Sequence, residues 1–234
     1  MILTEKEITW QVAKGNIVLD QVTSRQINHD SVDVSLYKQV LVSTESFVNT
    51  YLDLKAKRRE VMKDKESITS IEYLGIINKQ IHHLDEIKSR VVSTIKDWYI
   101  VDITKPTTFV KGLFVLGAVD EWVGTKASTD LCCEFRLKST PARLGLDHAF
   151  ASWIETGYFS RLCLELTFNQ SVELQKGSMV GQYIFHKTTD KSVDYTKGGS
   201  YQSFRDLDTA KRDWSIKDIL PKSKIKTKSE IHAK

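Results

Sequence analysis

The sequence predicts a mainly β (α+β) protein: an antiparallel barrel or jelly roll with an N-terminal helix and a helical insertion. Three observations carry this. After Pro106, and up to about residue 187, short apolar runs recur at strand-like spacing, and Leu162–Phe168 alternates apolar and polar strictly. From about Glu45 to Lys96 there is no proline and a single glycine, Gly75, while apolar residues return every three or four positions in a densely charged stretch. At the start, Thr4 and Glu7 form a capping-box pattern ahead of Ile8 and Val12 on one helical face.

In chain order, Gly15-Asn16 ends the first helix, since glycine takes the left-handed conformation that closes a helix. Ser31–Tyr37 alternates, which predicts a half-buried strand with Val32, Val34 and Leu36 inward. Ile71, Leu74, Ile77, Ile81, Leu84, Ile87, Val91 and Ile95 share one helical face. They predict a long amphipathic helix, preceded by a shorter one through Tyr51–Met62. Such a stripe is packing surface, for a structural insertion or a subunit contact. Phe109–Val119, Leu131–Leu137, Leu162–Phe168 and Met179–Phe185 read as strands.

With 234 residues, 41% of them hydrophobic, the chain has enough apolar material for one good core. The division read from it is a single domain over residues 1–220, with the insertion at about 45–96, then a basic flexible tail over 221–234. Lys222, Lys224, Lys226, Lys228 and Lys234 have no aromatic residues between them, so the tail reads as solvated rather than as a nucleic-acid surface. Cys132, Cys133 and Cys163 lack C-x-x-C spacing, and the six histidines form no H-x-x-x-H pair. That predicts neither a disulfide framework nor a zinc site. The polar, acidic start has no signal-peptide pattern, and no apolar run reaches the ~18 residues of a membrane span. A soluble, cytoplasmic protein is expected.

Two segments carry candidate chemistry. In Lys138–Leu146, the hydroxyls of Ser139 and Thr140 stand beside the cations of Lys138 and Arg143, a set suited to phosphate oxygens. A capped helical turn would look similar. The second segment, Ala151–Tyr158, leads into the strand of Glu165. Because Leu162, Leu164, Leu166 and Phe168 share one face, Glu165 lies on the other with Cys163 and Thr167. Periodicity alone makes it an ordinary surface acid.

The order of motifs changes that reading. Ile2–Ile8 with Gly15–Val18, Ile27–Val34, Gly112–Gly117 with Glu121, Lys138–Leu146, Leu164–Leu166, Leu174–Gln182, and Tyr195 with Tyr201-Gln202 follow one another as in a known family. The chain resembles the dCTP deaminase branch of the dUTPase superfamily over all but about 45–96. The resemblance implies a dUTPase-like distorted β-barrel and a homotrimer whose sites form between subunits, closed by a C-terminal lid. It implies hydrolysis of dCTP to dUTP and ammonia without zinc, in keeping with the missing H-x-E and P-C-x-x-C of zinc deaminases. It leaves open a second step to dUMP and pyrophosphate, supplying dUMP for thymidylate synthesis, and inhibition by dTTP.

Carried across by residue, the resemblance makes Glu165 the general acid/base, with Ser139 and the Ala151 carbonyl holding the water. Arg143, Lys138 and Thr140 would bind the triphosphate, with Mg²⁺ bridging phosphate oxygens and water. Gln182 would read the pyrimidine edge. His148, Trp153, Tyr195, Tyr201 and Gln202 complete the nucleotide-binding set. Ser152-Trp153 and Gln182 favour the two-step pattern, whereas Glu155 stands where the family has an aspartate that positions the second water. Pro141, Phe150 and Ser200 are further departures; Lys197 is a candidate substitute for the lid lysine. Two other readings remain: a dUTP diphosphatase without deamination, and a non-catalytic regulatory protein on the same fold.

Overall fold

The computed structural model describes residues 1–63, 68–149, 151–191, 195 and 206–222. Helix α1 (Glu5–Ala13) leads into β1 (Ile17–Asp20), β2 (Val32–Ser35) and β3 (Gln39–Ser43). Two helices, α2 (Thr44–Val61) and α3 (Ile68–Ser89), follow, then β4 (Val91–Ile95) and β5 (Trp98–Asp102). The remaining strands are β6 (Thr107–Phe109), β7 (Phe114–Ala118), β8 (Trp122–Thr125), β9 (Leu131–Leu137), β10 (Leu146–His148), β11 (Trp153–Ile154), β12 (Phe159–Ser160), β13 (Cys163–Phe168), β14 (Val172–Leu174) and β15 (Met179–Lys187). Helix α4 (Ser139–Arg143) separates β9 from β10, and α5 (Leu207–Asp213) precedes a 3-10 turn at Ile216–Ile219.

The strands form sheets in the orders β1-β8-β12, β10-β13-β7-β3-β5-β4, β11-β9-β15-β2 and β14-β6. Every pairing among the described residues is antiparallel. The mainly β fold expected from the sequence is the one observed. Alternation sorts the six-stranded sheet into two apolar faces. Val40, Val42, Val101 and Val115 enter the main core, while Leu41, Ile100, Leu116 and Ala118 form a second cluster on the opposite side. Ile216 and Ile219 close that second cluster, with Trp214 packed against it, so both sheet faces are buried.

Several local expectations need correction. Thr4 takes the N-cap position of α1, but its side chain accepts no capping hydrogen bond. The strand at Val32–Leu36 is not half-buried: β2 spans Val32–Ser35, and Asp33 is itself buried, its carboxylate paired with the Lys138 ammonium. The long helix stops at Ser89, and Val91 and Ile95 belong to β4, paired with β5. A spacing of four keeps residues on one face in a helix and in a strand alike, so the Ile87, Val91, Ile95 series fits both. The segment Val91-Val92-Ser93-Thr94-Ile95, β-branched at every position but Ser93, favours the strand.

Helices α2 and α3 pack on their own chain. Phe47 and Leu54 of α2 and Ile77, Leu84 and Ile87 of α3 are buried in the same apolar cluster as the barrel strands. Ser43 starts α2 by accepting a hydrogen bond from Ser46 N–H at 3.3 Å.

Candidate active site

The family-like phosphate segment folds as the single turn α4, with Lys138 at its N-cap and the Lys138 N–H held by the Val180 carbonyl at 3.0 Å. Gly145, at φ +88°, turns the chain out of α4 into β10; an added Cβ would meet the Gln170 side chain at 2.6 Å. Arg143 is exposed and has no ion-pair partner among the described residues. Lys138, by contrast, is engaged with Asp33 across to β2. Next to that pair, Gln182 on β15 lies opposite Asp33, with the Ser31 hydroxyl 3.5 Å from its Oε1.

A cavity of about 530 Å³ opens elsewhere on the barrel. Ala151, Trp153, Glu155, Glu165 and Tyr195 from the predicted set all line it. Ser139, Thr140, Arg143, Lys138 and Gln182 do not, and neither does His148. Trp98, Phe114 and Leu116 give it an apolar wall, and Asp218, Ile219 and Pro221 of the C-terminal segment complete that side. Tyr201 and Gln202, expected in the lid, and Phe150, Lys197 and Ser200 lie outside the described residues, as does 223–234.

Glu165 is held by β13 between β7 and β10, with 27% of its side chain exposed. This is the face that periodicity assigns to solvent, but the cavity and His148 occupy it. The His148 Nε2 is 3.3 Å from Glu165 Oε2, and the imidazole is only 6% exposed. Cys163, two residues before Glu165, also lines the cavity. Burial first, then the Glu165 charge and a hydrogen bond to it, pushes the Cys163 thiol far up, so it stays protonated.

Glu155 begins the turn that reaches Tyr158, whose N–H donates to the Glu155 carbonyl at 3.1 Å. Burial drives the Tyr158 phenol upward, keeping it neutral, and its ring meets Tyr195 edge-on with centroids 5.6 Å apart. Tyr195 is tied down by its own N–H to the Thr156 carbonyl, 3.1 Å away. Trp153 stands 57% exposed at the cavity's edge, opposite Glu134 on β9.

The sequence reading missed Arg161. It is buried, donates to Asp120 Oδ1 at 2.6 Å and to Gln21 Oε1 at 3.0 Å, and its guanidinium lies 4.7 to 5.2 Å from the rings of Tyr37, Trp122 and Trp214. Arg161 also lines the cavity, and the cage secures Trp214, hence the C-terminal segment that walls it. No signal in sequence spacing joins Tyr37 to Trp214. Glu121, in contrast, is a structural acid. It accepts from Ser35 N–H and Oγ, each at 2.9 Å, and from Gln26, with burial raising its carboxyl above the usual range. Among the described residues no group of three or more His, Cys, Asp and Glu side chains could hold a metal ion.

A family model described as dCTP deaminase-like matches residues 2–188, which includes α4, β13 and the whole cavity wall except Tyr195 and the C-terminal segment. The chain belongs to the dCTP deaminase-like family. A dUMP-forming dCTP deaminase of Methanococcus maripaludis is 28% identical over 190 residues, covering 80% of this chain and 82% of that protein. One from Nanoarchaeum equitans is 24% identical over 205 residues, with 86% and 92% covered. One from Corynebacterium jeikeium is 26% identical over 214 residues, with 88% and 93% covered. The crystal structure of 2'-deoxycytidine 5'-triphosphate deaminase from Agrobacterium tumefaciens shares the fold at TM-score 0.50 and 15% identity. That match covers 80% of this chain but 47% of the Agrobacterium chain, so the present chain spans about half its length. No helix among the described residues is long and apolar enough to cross a membrane.

Proposed function

We propose that this protein hydrolyses dCTP to dUTP and ammonia, then dUTP to dUMP and pyrophosphate. The observation that carries the proposal is Glu165: a carboxylate set in a cavity, backed by His148 and a protonated Cys163, in a chain of the dCTP deaminase-like family. Relatives named dUMP-forming favour the second step.

The chemistry asks little beyond a placed carboxylate. Glu165 takes a proton from a water held by Ser139 and the Ala151 carbonyl, and the resulting hydroxide adds to C4 of cytosine. The proton passes to N3. A second transfer through Glu165 moves the remaining hydroxyl proton to the amino group, which leaves as ammonia with the C4 carbonyl formed. Gln182 reads the pyrimidine edge, and Arg143, Thr140 and Lys138 bind the triphosphate, Lys138 while sharing Asp33. Glu155 orients the water for dUTP hydrolysis. Mg²⁺ accompanies the phosphates, where phosphate oxygens and water can ligate it without a protein cage.

Among the described residues, the cavity that Glu165 lines includes neither Lys138 nor Arg143. This supports a homotrimer in which α4 and Gln182 of one subunit complete the cavity of another, with Trp153, Tyr195, Tyr201 and Gln202 closing on the nucleotide. The enzyme would work in the cytoplasm on free nucleotides, with dTTP as an inhibitor.

The test is incubation of purified protein with dCTP and Mg²⁺, with products separated by anion exchange and ammonia assayed. Ammonia with dUMP and pyrophosphate is expected. Ammonia with dUTP alone confines the protein to the first step. Cleavage of dUTP without ammonia from dCTP overturns the role of Glu165, and turnover of neither favours a regulatory protein. Added dTTP slows the reaction if the inhibition holds.

A further inference from the structure

We propose that His148 is a positioning residue, which holds the carboxylate of Glu165 in the orientation that transfers protons; this rests on the reading of Glu165 above. The resemblance alone would place His148 against the nucleotide. Its place behind the carboxylate argues otherwise: the imidazole is 6% exposed and does not line the cavity, whereas Glu165 does.

Nε2 of His148 and Oε2 of Glu165 are both buried, 3.3 Å apart, and neither has a hydrogen-bond partner among the described residues. Two buried polar atoms left unpaired are costly, and a small turn of the carboxylate pairs them with each other. Hydrogen bonds of this kind are commonly loose before substrate arrives. The backbone beneath them is already fixed. β10 and β13 are antiparallel, and the Ala149 N–H donates to the Glu165 carbonyl at 3.0 Å. The Phe135 ring flanks the imidazole, its centroid 5.0 Å away, and restricts how the ring can turn.

A glutamate has three side-chain torsions, and each rotamer aims its oxygens differently. An Nε2–H donated to Oε2 fixes that oxygen and leaves the other, beside the Cys163 thiol, turned toward water and base. The residue touches no substrate; it acts only through Glu165.

The experiment compares His148→Phe, which keeps a ring against Phe135 but offers no donor, with His148→Gln, whose amide N–H reaches about as far as Nε2. Deamination of dCTP by the full chain gives kcat and KM, and unfolding gives Tm. In His148→Phe, kcat should fall by up to about 100-fold, the scale of a ~1 Å misplacement, with KM and Tm near wild type. His148→Gln should recover most of the rate. A kcat for His148→Phe within about twofold of wild type overturns the proposal. So does an equal loss in both variants, or a loss seen in KM alone.

A readout independent of turnover is the ¹⁵N–¹H spectrum of the histidines. It should show a downfield, slowly exchanging Nε2–H for His148 in wild type that is lost in Glu165→Ala. Its persistence in that variant overturns the contact. If wild-type protein releases no ammonia, the reading of Glu165 as base fails, while the spectrum still decides whether His148 holds it.

Discussion

At the scale of single residues, the carboxylates divide by surroundings rather than by type. Glu121 is enclosed by donors and serves the fold, whereas Glu165 faces a cavity. Glu165→Gln should reduce ammonia release by at least ~100-fold while dCTP still binds, as checked by calorimetry beside the ammonia assay. Glu155→Asp should shorten the reach by one methylene and raise the dUMP-to-dUTP ratio of the products, read by anion exchange. The sequence singles out Glu165 because its motif sits in order among six others, and the structure places it in the cavity wall. Its contact with His148 was not legible, because the β10–β13 pairing brings together residues 17 positions apart through a pairing that no local pattern encodes. The sequence offers Lys138 as a phosphate-binding cation, and nothing local shows its partner: Asp33, on a strand expected to be half-buried, is itself buried and pairs with it.

At the scale of elements, the helical pair and the C-terminal segment both pack against the sheets. The α2–α3 pair is anchored by Leu84 and Ile87, both fully buried. Leu84→Ala should therefore cost about 2–5 kcal/mol of stability, measured by urea unfolding. A contact used only between subunits would instead leave monomer stability nearly unchanged. The C-terminal segment matters in a different way. Ile219 is buried against the outer sheet face and also lines the cavity. Ile219→Ala should lower stability by a similar amount and weaken nucleotide binding in the same protein, as seen by thermal shift with and without dCTP. Removal of residues 206–234 would strip Leu41, Ile100 and Leu116 of cover, and should raise binding of a hydrophobic dye. Strands β9, β13 and β15 were legible as apolar or alternating runs, whereas the Phe109–Val119 run divides into the end of β6, a turn and β7, and short strands such as β1, β8 and β12 offered no such run. Where both faces are buried, as in β2 and β3, alternation loses its meaning and the burial pattern could not be inferred.

For the whole molecule, the proposed function would make assembly a condition of activity, because Glu165 lines the cavity and Arg143, Lys138 and Gln182 are not among its lining residues. Light scattering should give the mass of a trimer. Glu165→Gln and Arg143→Ala, each inactive alone, should regain part of the activity when unfolded and refolded as a mixture, because some sites then receive both intact residues. Failure of such mixtures, with each variant folded and trimeric, would place the whole site within one chain. The aromatic cage around Arg161 has an optical consequence as well. Of the five tryptophans, Trp122 and Trp214 lie with ring centroids 6.0 Å apart inside the fold, while Trp153 looks out from the cavity's edge. Undocking of the C-terminal segment would move Trp214 into water and redden its emission, whereas nucleotide arrival would change the light from Trp153. Phenylalanine placed at one position or the other would separate the two signals, so loosening of the wall and filling of the site could be timed against each other in unlabelled protein.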